Sequence, residues 1–274
     1  MTRKFDSADT LAAALIEMIG KNIVLGLPVG IGKAIRVADA LYARAAADTS
    51  ISLTIFTGLT LLPPRGGSKL ESAFLQPLVE RLYGDCPRAL YAEAVAAGKL
   101  PSNITVREFY LRPGGYLRND QAQQNYTSIN YSQVAAELLR LGVNVVAQLV
   151  AESGTDSNRY SLASNPEITL DLLPEFDRLR SSGAAIALVG ERNRYLPYMP
   201  GDAELDASRF DFILANKDTD YPLFGLPNRR VTPGDYAIAM HVASLVPDGG
   251  TLQVGIGSMS DAVAHCLRLR HDSP

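Results

Sequence analysis

NIVLGLPVGIGKAIRVADAL, residues 22–41, contains the pattern on which the fold prediction depends. The apolar run 23–28 predicts a short buried strand. Gly30 and Gly32 follow it directly, and apolar residues then recur at helical spacing over 33–46. Glycines between a strand and a helix allow a tight turn of the backbone. The stretch therefore predicts one strand–turn–helix unit of an α/β fold.

The same alternation of strand and helix continues outward from this stretch. Helices are predicted over 7–19, 33–46, 70–83, 87–97 and 133–141, and strands over 23–28, 51–57, 104–111, 143–150 and 183–193. Several of these strands are almost continuously apolar, which is typical of parallel strands covered on both faces. The sequence therefore predicts an α/β fold with a mainly parallel sheet and flanking helices.

A second corner of the same kind occurs near the end of the chain. The tetrapeptide VGIG stands at 29–32 and again at 254–257, inside DGGTLQVGIGSMSDAVAHCL (248–267). Ser7 and Thr232 occupy matching positions upstream and are both typical helix N-caps. With a strand expected over 251–254 and a helix from Ser258, the pattern predicts a duplicated α/β unit.

The domain prediction follows from this duplication. Residues 1–220 are expected to form one α/β domain, and 221–233, with three prolines, a linker. Residues 234–274 are expected to be the start of a similar second domain that is only begun and looks cut off. A lone strand and helix cannot bury a core of their own.

Composition excludes several classes of protein. The chain has 274 residues, 47% of them apolar, and a net charge of −3, which gives no basic face for a nucleic acid or an anionic membrane. The two cysteines, Cys86 and Cys266, lie far apart, so a disulfide framework is not expected and a reducing cytoplasm fits. No apolar run approaches the ~20 residues that span a bilayer, and the three histidines show no metal-ligand spacing.

The glycine corners do not match the common nucleotide-binding motifs. A phosphate loop would need a glycine at Leu27 and a hydroxyl at Ala34, and a dinucleotide fingerprint would need a third glycine at Ile35 or Ser260. One interpretation is that the glycines only permit tight turns. The other is that they leave N–H groups open at a helix start, where the helix dipole favours a negative oxygen.

On the second interpretation, that oxygen is the oxyanion of an acyl group in reaction. Gly255, Gly257 and Ser258 would then be the donors of an oxyanion or CoA-binding site. Gly30, Gly32 and Lys33 form a candidate substrate-side loop in the first corner.

The segment 248–267 resembles the acetyl-CoA hydrolase / 4-hydroxybutyrate coenzyme A transferase family, whose members carry a very similar DGATLQLGIG…DAV segment. The likeness extends upstream through RYSLASNPEITLDLL (159–173), ALVGERNRYLPYMPGDAEL (187–205) and FDFILANKDTDYPL (210–223). GKAIRVADALYARA (32–45) also fits the first domain of that family. The resemblance implies a CoA-transferase-like fold (NagB/RpiA type), with two similar domains and the active site between them.

The resemblance also implies a reaction. A glutamate attacks the acyl-CoA thioester, a mixed anhydride forms, and CoA returns to give a glutamyl thioester that a carboxylate or water resolves. CoA is then a substrate, no cofactor is needed, and the expected partners are an acyl-CoA, a small carboxylate and further copies of the chain in a homo-oligomer. The family's glutamate follows the second corner, whereas the last glutamate here is Glu204.

No catalytic residue is therefore assigned in this chain. A missing C-terminal half or a separate subunit is expected to supply the glutamate, and residues 1–274 alone are expected to be inactive. A non-catalytic acyl-CoA-binding or assembly module is the alternative. A sugar-phosphate isomerase or ligand sensor would require acidic and basic residues clustered at the first corner, where Lys33 shows no obvious carboxylate partner in the sequence.

Overall fold

The computed structural model describes residues 2–216, 220–225 and 229–272. The chain divides into two compact units, residues 1–224 and 225–274. The linker predicted over 221–233 contains residues 226–228, and the first predicted domain contains 217–219; both stretches lie outside the described residues.

The first unit alternates strands and helices from its beginning. Its strands are β1 (Arg3–Phe5), β2 (Asn22–Val29), β3 (Ser52–Gly58), β4 (Ile104–Glu108), β5 (Val145–Glu152), β6 (Arg159–Ser161), β7 (Ala187–Arg192), β8 (Glu204–Asp206) and β9 (Phe212–Leu214). Its helices are α1 (Ala8–Ile19), α2 (Ile35–Ala47), α3 (Lys69–Tyr83), α4 (Leu90–Ala96), α5 (Asp120–Gln124), α6 (Val134–Arg140) and α7 (Glu167–Ser181).

The main sheet is parallel, as the sequence predicts. Its strand order is β1-β9-β7-β5-β2-β3-β4, and every neighbouring pair in that order is parallel. The short strands β6 and β8 add an antiparallel extension to β5. The chain runs from β2 outward through β3 and β4, then returns to the other side of β2 through β5. The direction of winding therefore reverses between β2 and β5.

Helices cover both faces of the sheet, and two apolar clusters form the core. On β2, Leu25 joins the cluster that holds the buried faces of α1 and α2, whereas Val24 joins the cluster that holds α6 and α7. This alternation follows from the two-residue period of a strand. It explains why the central strands are almost continuously apolar, because both of their faces are buried.

The described residues of the second unit form two helices, α8 (Pro233–Leu245) and α9 (Ser258–Asp272). As expected from the sequence, α8 begins at Pro233 behind Thr232, which forms a capping box with Asp235. The helices bury small side chains against each other, and Cys266 lies in that core. No helix in the part of the chain that the structure describes is long and apolar enough to cross a membrane.

The strand predicted over 251–254 is wrong, because residues 251–255 form no strand in the structure. Leu252, Val254 and Ile256 have the alternation of a strand but are 38%, 52% and 89% exposed. A strand requires a hydrogen-bonded neighbour, and the described residues 229–272 of this unit form only helices and connecting segments. The second unit therefore contains the two helices that the sequence predicts, whereas the strand expected between them is not formed; the duplication itself stays a prediction.

Candidate functional site

The candidate site lies at the carboxyl end of the parallel sheet, where β2 and β5 mark the reversal in winding. Ligands of open α/β sheets bind in the crevice outside the carboxyl ends of the strands at such a point. The segment Gly30–Lys33 directly follows β2 and therefore lies in this position.

The first corner is tighter than the sequence suggests. Gly30–Gly32 forms one turn of 3-10 helix, and α2 begins only at Ile35, so the predicted helix start at Lys33 is wrong by two residues. Gly30 has φ +64°, a left-handed conformation that side chains with a Cβ rarely adopt. Lys33 is extended instead of helical, which directs its side chain away from the helix and into the protein.

A carboxylate of the protein itself occupies the N-terminal end of α2. Glu191, at the end of β7, accepts a hydrogen bond from the main-chain N–H of Val37 at 3.2 Å and is fully buried. Burial raises the pKa of Glu191 to about 8, against the lowering effects of the Val37 N–H and the nearby Arg36 guanidinium. The start of α2 is thus already occupied by a carboxyl group of the protein itself, which is largely protonated below pH 8.

Lys33 holds the corner to the next strand. Its Nζ donates to the carbonyl oxygens of Gly58 at 2.6 Å, Gly30 at 3.1 Å and Leu59 at 3.4 Å. An ammonium group has three protons, so these main-chain acceptors account for all of them. Burial lowers the pKa of Lys33 to about 7, and the negative charge of Glu108 partly offsets that effect. Lys33 therefore joins β2 to β3 at the site.

Glu108 is the carboxylate near Lys33 that the sequence did not reveal. It ends β4, is 7% exposed, and accepts a hydrogen bond from the main-chain N–H of Thr60 at 3.5 Å. Burial raises its pKa, while the bonds from Thr60 and the charge of Lys33 lower it. The Thr60 hydroxyl lies 3.3 Å from the Tyr91 hydroxyl. Acidic and basic groups are thus brought together at the ends of β2, β3 and β4.

A loop after β6 closes the other side of the corner. A Cβ on the buried Gly32 would lie 2.3 Å from Oδ1 and 2.9 Å from Cβ of Asn165, so only glycine fits at residue 32. The buried side chain of Gln148 on β5 donates to the carbonyl oxygen of Asn165 at 2.8 Å. Ala163, in the same loop, has φ +52°, and Leu59 on the opposite side has φ +49°. Backbone strain of this kind clusters at functional sites.

An apolar pocket opens beside the corner, entirely within the first unit. Its empty space of about 590 Å³ includes open solvent at the mouth of the pocket. Its walls come from the corner, from the segment after β3, from the connection between α3 and α4, and from residues 221–224. The sequence patterns did not single out this pocket, because its walls are far apart along the chain.

The three residues predicted as oxyanion or CoA-binding donors lie together at the start of α9, in the second unit. Gly255 is exposed, Gly257 has φ +141°, and Ser258 is the first residue of the helix and is 9% exposed. The carbonyl oxygen of Gly257 accepts a hydrogen bond from the main-chain N–H of Asp261 at 3.1 Å, in the first turn of α9. The role of these residues, and that of Gly30, Gly32 and Lys33 as a substrate-side loop, stays a prediction.

Comparison with known proteins gives one sequence relative and several similar structures. 4-Hydroxybutyrate coenzyme A transferase from Clostridium kluyveri is 35% identical over 85 residues, 31% of this chain and 19% of that protein. The structure of RipA from Yersinia pestis matches with a TM-score of 0.62 and 20% identity, covering 97% of this chain and 53% of RipA. 4-Hydroxybutyrate CoA-transferase from Porphyromonas gingivalis matches with a TM-score of 0.53 and 21% identity, covering 97% and 51%.

No family model matches the chain. The chain spans about half the length of these solved relatives. At this level of identity the structural matches show the fold alone, and that fold is the CoA-transferase-like α/β fold expected from the sequence. Together with the sequence match, they confirm the resemblance to the acetyl-CoA hydrolase / 4-hydroxybutyrate coenzyme A transferase family.

Proposed function

We propose, from this chain's relationship to the acetyl-CoA hydrolase / 4-hydroxybutyrate coenzyme A transferase family, that residues 1–274 are part of an acyl-CoA:carboxylate CoA-transferase or an acyl-CoA hydrolase. The observation that carries the proposal is the 35% identity to 4-hydroxybutyrate coenzyme A transferase over 85 residues. The CoA-transferase-like fold, which covers nearly the whole chain, supports the same reading.

The proposed reaction proceeds through a covalent glutamyl-CoA thioester. A glutamate carboxylate attacks the thioester carbonyl and CoA leaves as the thiolate, which gives a mixed anhydride. The thiolate then attacks the glutamyl carbonyl of the anhydride, which forms the glutamyl thioester and releases the original acyl group as its carboxylate. An acceptor carboxylate or water attacks the glutamyl thioester and completes the turnover. Glu204 is the last glutamate of residues 1–274 and precedes the second corner. We therefore propose that the nucleophile is supplied from outside these residues.

The second corner would stabilise the negative oxygen of this reaction. Main-chain N–H groups at Gly255, Gly257 and Ser258 stand at the start of α9, where the helix dipole favours an anion. Removing one donor of an oxyanion site costs on the order of 3 kcal/mol of transition-state stabilisation. In the first unit, Gly30, Gly32 and Lys33 would form the substrate-side loop, which Lys33 holds rigid through three main-chain carbonyls.

Calorimetry and a free-thiol assay on residues 1–274 test this proposal. We expect butyryl-CoA to bind and no free CoA to be released at an enzymic rate, because the glutamate is absent. Gly255→Val keeps the main-chain N–H but places a branched side chain beside it, which should keep the thioester oxygen from reaching that N–H. Butyryl-CoA should then bind about fivefold more weakly, since one hydrogen bond is worth about 1 kcal/mol, and the binding of free CoA should be unaffected. Gly234→Val is the matched control, because a Cβ at either glycine would meet only one side-chain hydroxyl, that of Thr232 at 3.7 Å from Gly234 and that of Ser260 at 3.9 Å from Gly255.

The outcomes separate the parts of the proposal. Absence of binding for both CoA and butyryl-CoA would contradict the assignment to CoA-ester chemistry. Rapid release of CoA by residues 1–274 would show that the nucleophile lies within them. A third outcome is that residues 1–274 bind butyryl-CoA but release no CoA, even after a glutamate-bearing segment of a relative is added. That outcome would favour the alternative function, a non-catalytic acyl-CoA-binding module.

A further inference from the structure

The peptide unit between Leu59 and Thr60, directly after β3, lies between two buried ionisable side chains. Its carbonyl oxygen accepts a hydrogen bond from Lys33 Nζ at 3.4 Å, and its N–H donates to the Glu108 carboxylate at 3.5 Å. Both distances exceed the value of about 2.9–3.0 Å that is most common for N–H···O hydrogen bonds. The amine and the carboxylate therefore hold opposite ends of one peptide group, each through a long bond.

Leu59 has a backbone conformation that its side chain disfavours. Its φ is +49°, in the left-handed region that a residue with a Cβ rarely adopts unless the surrounding structure holds it there. The preceding peptide unit is held more firmly, because the Gly58 carbonyl accepts from Lys33 Nζ at 2.6 Å. The longer bond from Lys33 to the Leu59 carbonyl is therefore one of the contacts that keep residue 59 in this conformation.

The protons on Lys33 match the carbonyls around it only when the amine is charged. An ammonium group has three protons for the carbonyl oxygens of Gly58, Gly30 and Leu59, at 2.6, 3.1 and 3.4 Å. The neutral amine has two protons and a lone pair, and that lone pair repels the third carbonyl. Because the bond to Leu59 is the longest of the three, it is the one that deprotonation breaks at the least cost.

The surroundings of Lys33 bring this change of charge close to neutral pH. The residue is 2% exposed, and burial lowers the pKa of its amine to about 7. The negative charge of Glu108 on β4 partly offsets that effect. Burial also raises the pKa of Glu108, so an experiment has to separate the titration of the amine from that of the carboxyl group.

The other titratable side chains near Lys33 keep their charge constant around neutral pH. Tyr91 on α4 and Tyr116 lie beside Glu108, and burial raises the pKa of both hydroxyls, so they stay neutral. Gln148 on β5, whose main chain forms a bridge with that of Lys33, does not titrate. Four further titratable side chains share the lining of the apolar pocket with Lys33: Tyr83, Cys86, Arg88 and Tyr221. Burial raises the pKa of the two tyrosines and of the cysteine, and an arginine keeps its charge.

We propose that Lys33 and the peptide unit between Leu59 and Thr60 form a pH-operated switch at the end of β3. While the lysine is charged, its third proton holds the Leu59 carbonyl and residue 59 stays left-handed. When the amine loses that proton, the carbonyl turns away and residue 59 relaxes to a φ that leucine favours. Leu61 and Pro63 follow in the chain and line the apolar pocket, so the switch changes the shape of one pocket wall. It operates whether or not the proposed function is correct.

NMR spectroscopy of residues 1–274 labelled with 13C and 15N, recorded from about pH 5.5 to 8.5, tests the switch. The Cε shift of Lys33 reports its protonation. The carbonyl 13C shift of Leu59 reports its hydrogen bond, and the Cα shift of Leu59 reports its backbone conformation. We expect all three shifts to change together with a midpoint near pH 7. The carbonyl shifts of Gly58 and Gly30 should change less, because the neutral amine still bonds to both.

Three variants locate the switch. Lys33→Met removes the titrating amine and should give Leu59 the alkaline Cα shift at every pH. Glu108→Gln removes the opposing charge and keeps the shape of the side chain, so the midpoint should fall by about one pH unit while the response of Leu59 remains. Lys21→Met is the matched control, because Lys21 is exposed and paired with Asp48, and it should leave the midpoint and the response unchanged.

Three results would overturn the inference. The first is a Lys33 amine that does not titrate over this pH range, and the second is a lysine that titrates while the shifts of Leu59 stay constant. The third is a response of Leu59 that disappears in Glu108→Gln although Lys33 still titrates, because the carboxyl group would then be the operating group. The first two results are read from the wild type, so the switch can be refuted even if Lys33→Met does not fold.

Discussion

Replacing Glu191 by glutamine should change how the stability of this protein depends on pH. Glu191 accepts the Val37 N–H through one oxygen, while its other oxygen is buried without a partner. Glutamine reproduces the protonated carboxyl in shape, with one oxygen for the Val37 N–H and an NH₂ group in place of the hydroxyl. The substitution therefore keeps the bond to α2 and removes the group that titrates.

The magnitude follows from the pKa of Glu191, which rises from 4.5 to about 8 on folding. Between these values the native state keeps its proton, while the unfolded chain releases it. The unfolded state thus binds fewer protons, and the free energy of unfolding falls as pH rises through this range. From pH 4.5 to pH 7 the loss is on the order of 3 kcal/mol, at 1.36 kcal/mol per unit.

Urea unfolding followed by far-ultraviolet circular dichroism at pH 4.5, 6, 7 and 8 measures this effect. The difference in unfolding free energy between Glu191→Gln and the wild type should shift in favour of Glu191→Gln by about 3 kcal/mol between pH 4.5 and 7. Glu175→Gln is the control, because that carboxylate is exposed and paired with Arg178. Identical pH profiles for Glu191→Gln and the wild type would refute the view that a buried, largely protonated carboxyl caps α2.

Two further substitutions probe the same corner. Lys33→Met should remove a rise in stability at alkaline pH: the pKa of Lys33 falls from 10.5 to about 7 on folding, so the unfolded chain binds more protons between these values. Between pH 8 and 10 the free energy of unfolding of the wild type should rise by about 3 kcal/mol relative to that of Lys33→Met, as measured by urea unfolding. If the two free energies change in parallel with pH, the result contradicts this prediction. Gly32→Ala should cost about 1–3 kcal/mol through overpacking against Asn165. In a double-mutant cycle, Asn165→Gly should recover at least 1 kcal/mol of that loss, and additive effects of the two changes would disprove the contact.

The polar groups of the first corner find their hydrogen-bond partners inside the protein. The amide of Val37 faces Glu191, and the ammonium of Lys33 faces main-chain carbonyls. Neither group needs a ligand to satisfy it. This arrangement is consistent with a corner that forms one wall of the apolar pocket.

Local patterns in the sequence were sufficient for the parallel sheet and for most helices. The apolar run at 23–28, the glycines after it and the helical spacing beyond it each depend on neighbouring residues. They locate β2 within one residue and α2 within two residues of the bounds found in the structure. The capping box at Thr232 and Asp235 is likewise local, and α8 begins there. These signals act within a few residues of one another, so the sequence alone reveals them.

The charged groups of the site were decided by tertiary structure. Glu191 meets Val37 across 154 positions of sequence, and Lys33 meets the carbonyl of Gly58 across 25. Glu108 and Glu191 do share one recognisable feature, a carboxylate at the end of a buried strand, but nothing local indicates which helix or cation each will face. The strand expected over 251–254 failed for the same reason: its alternation is local, whereas a strand exists only when another strand supplies its hydrogen bonds.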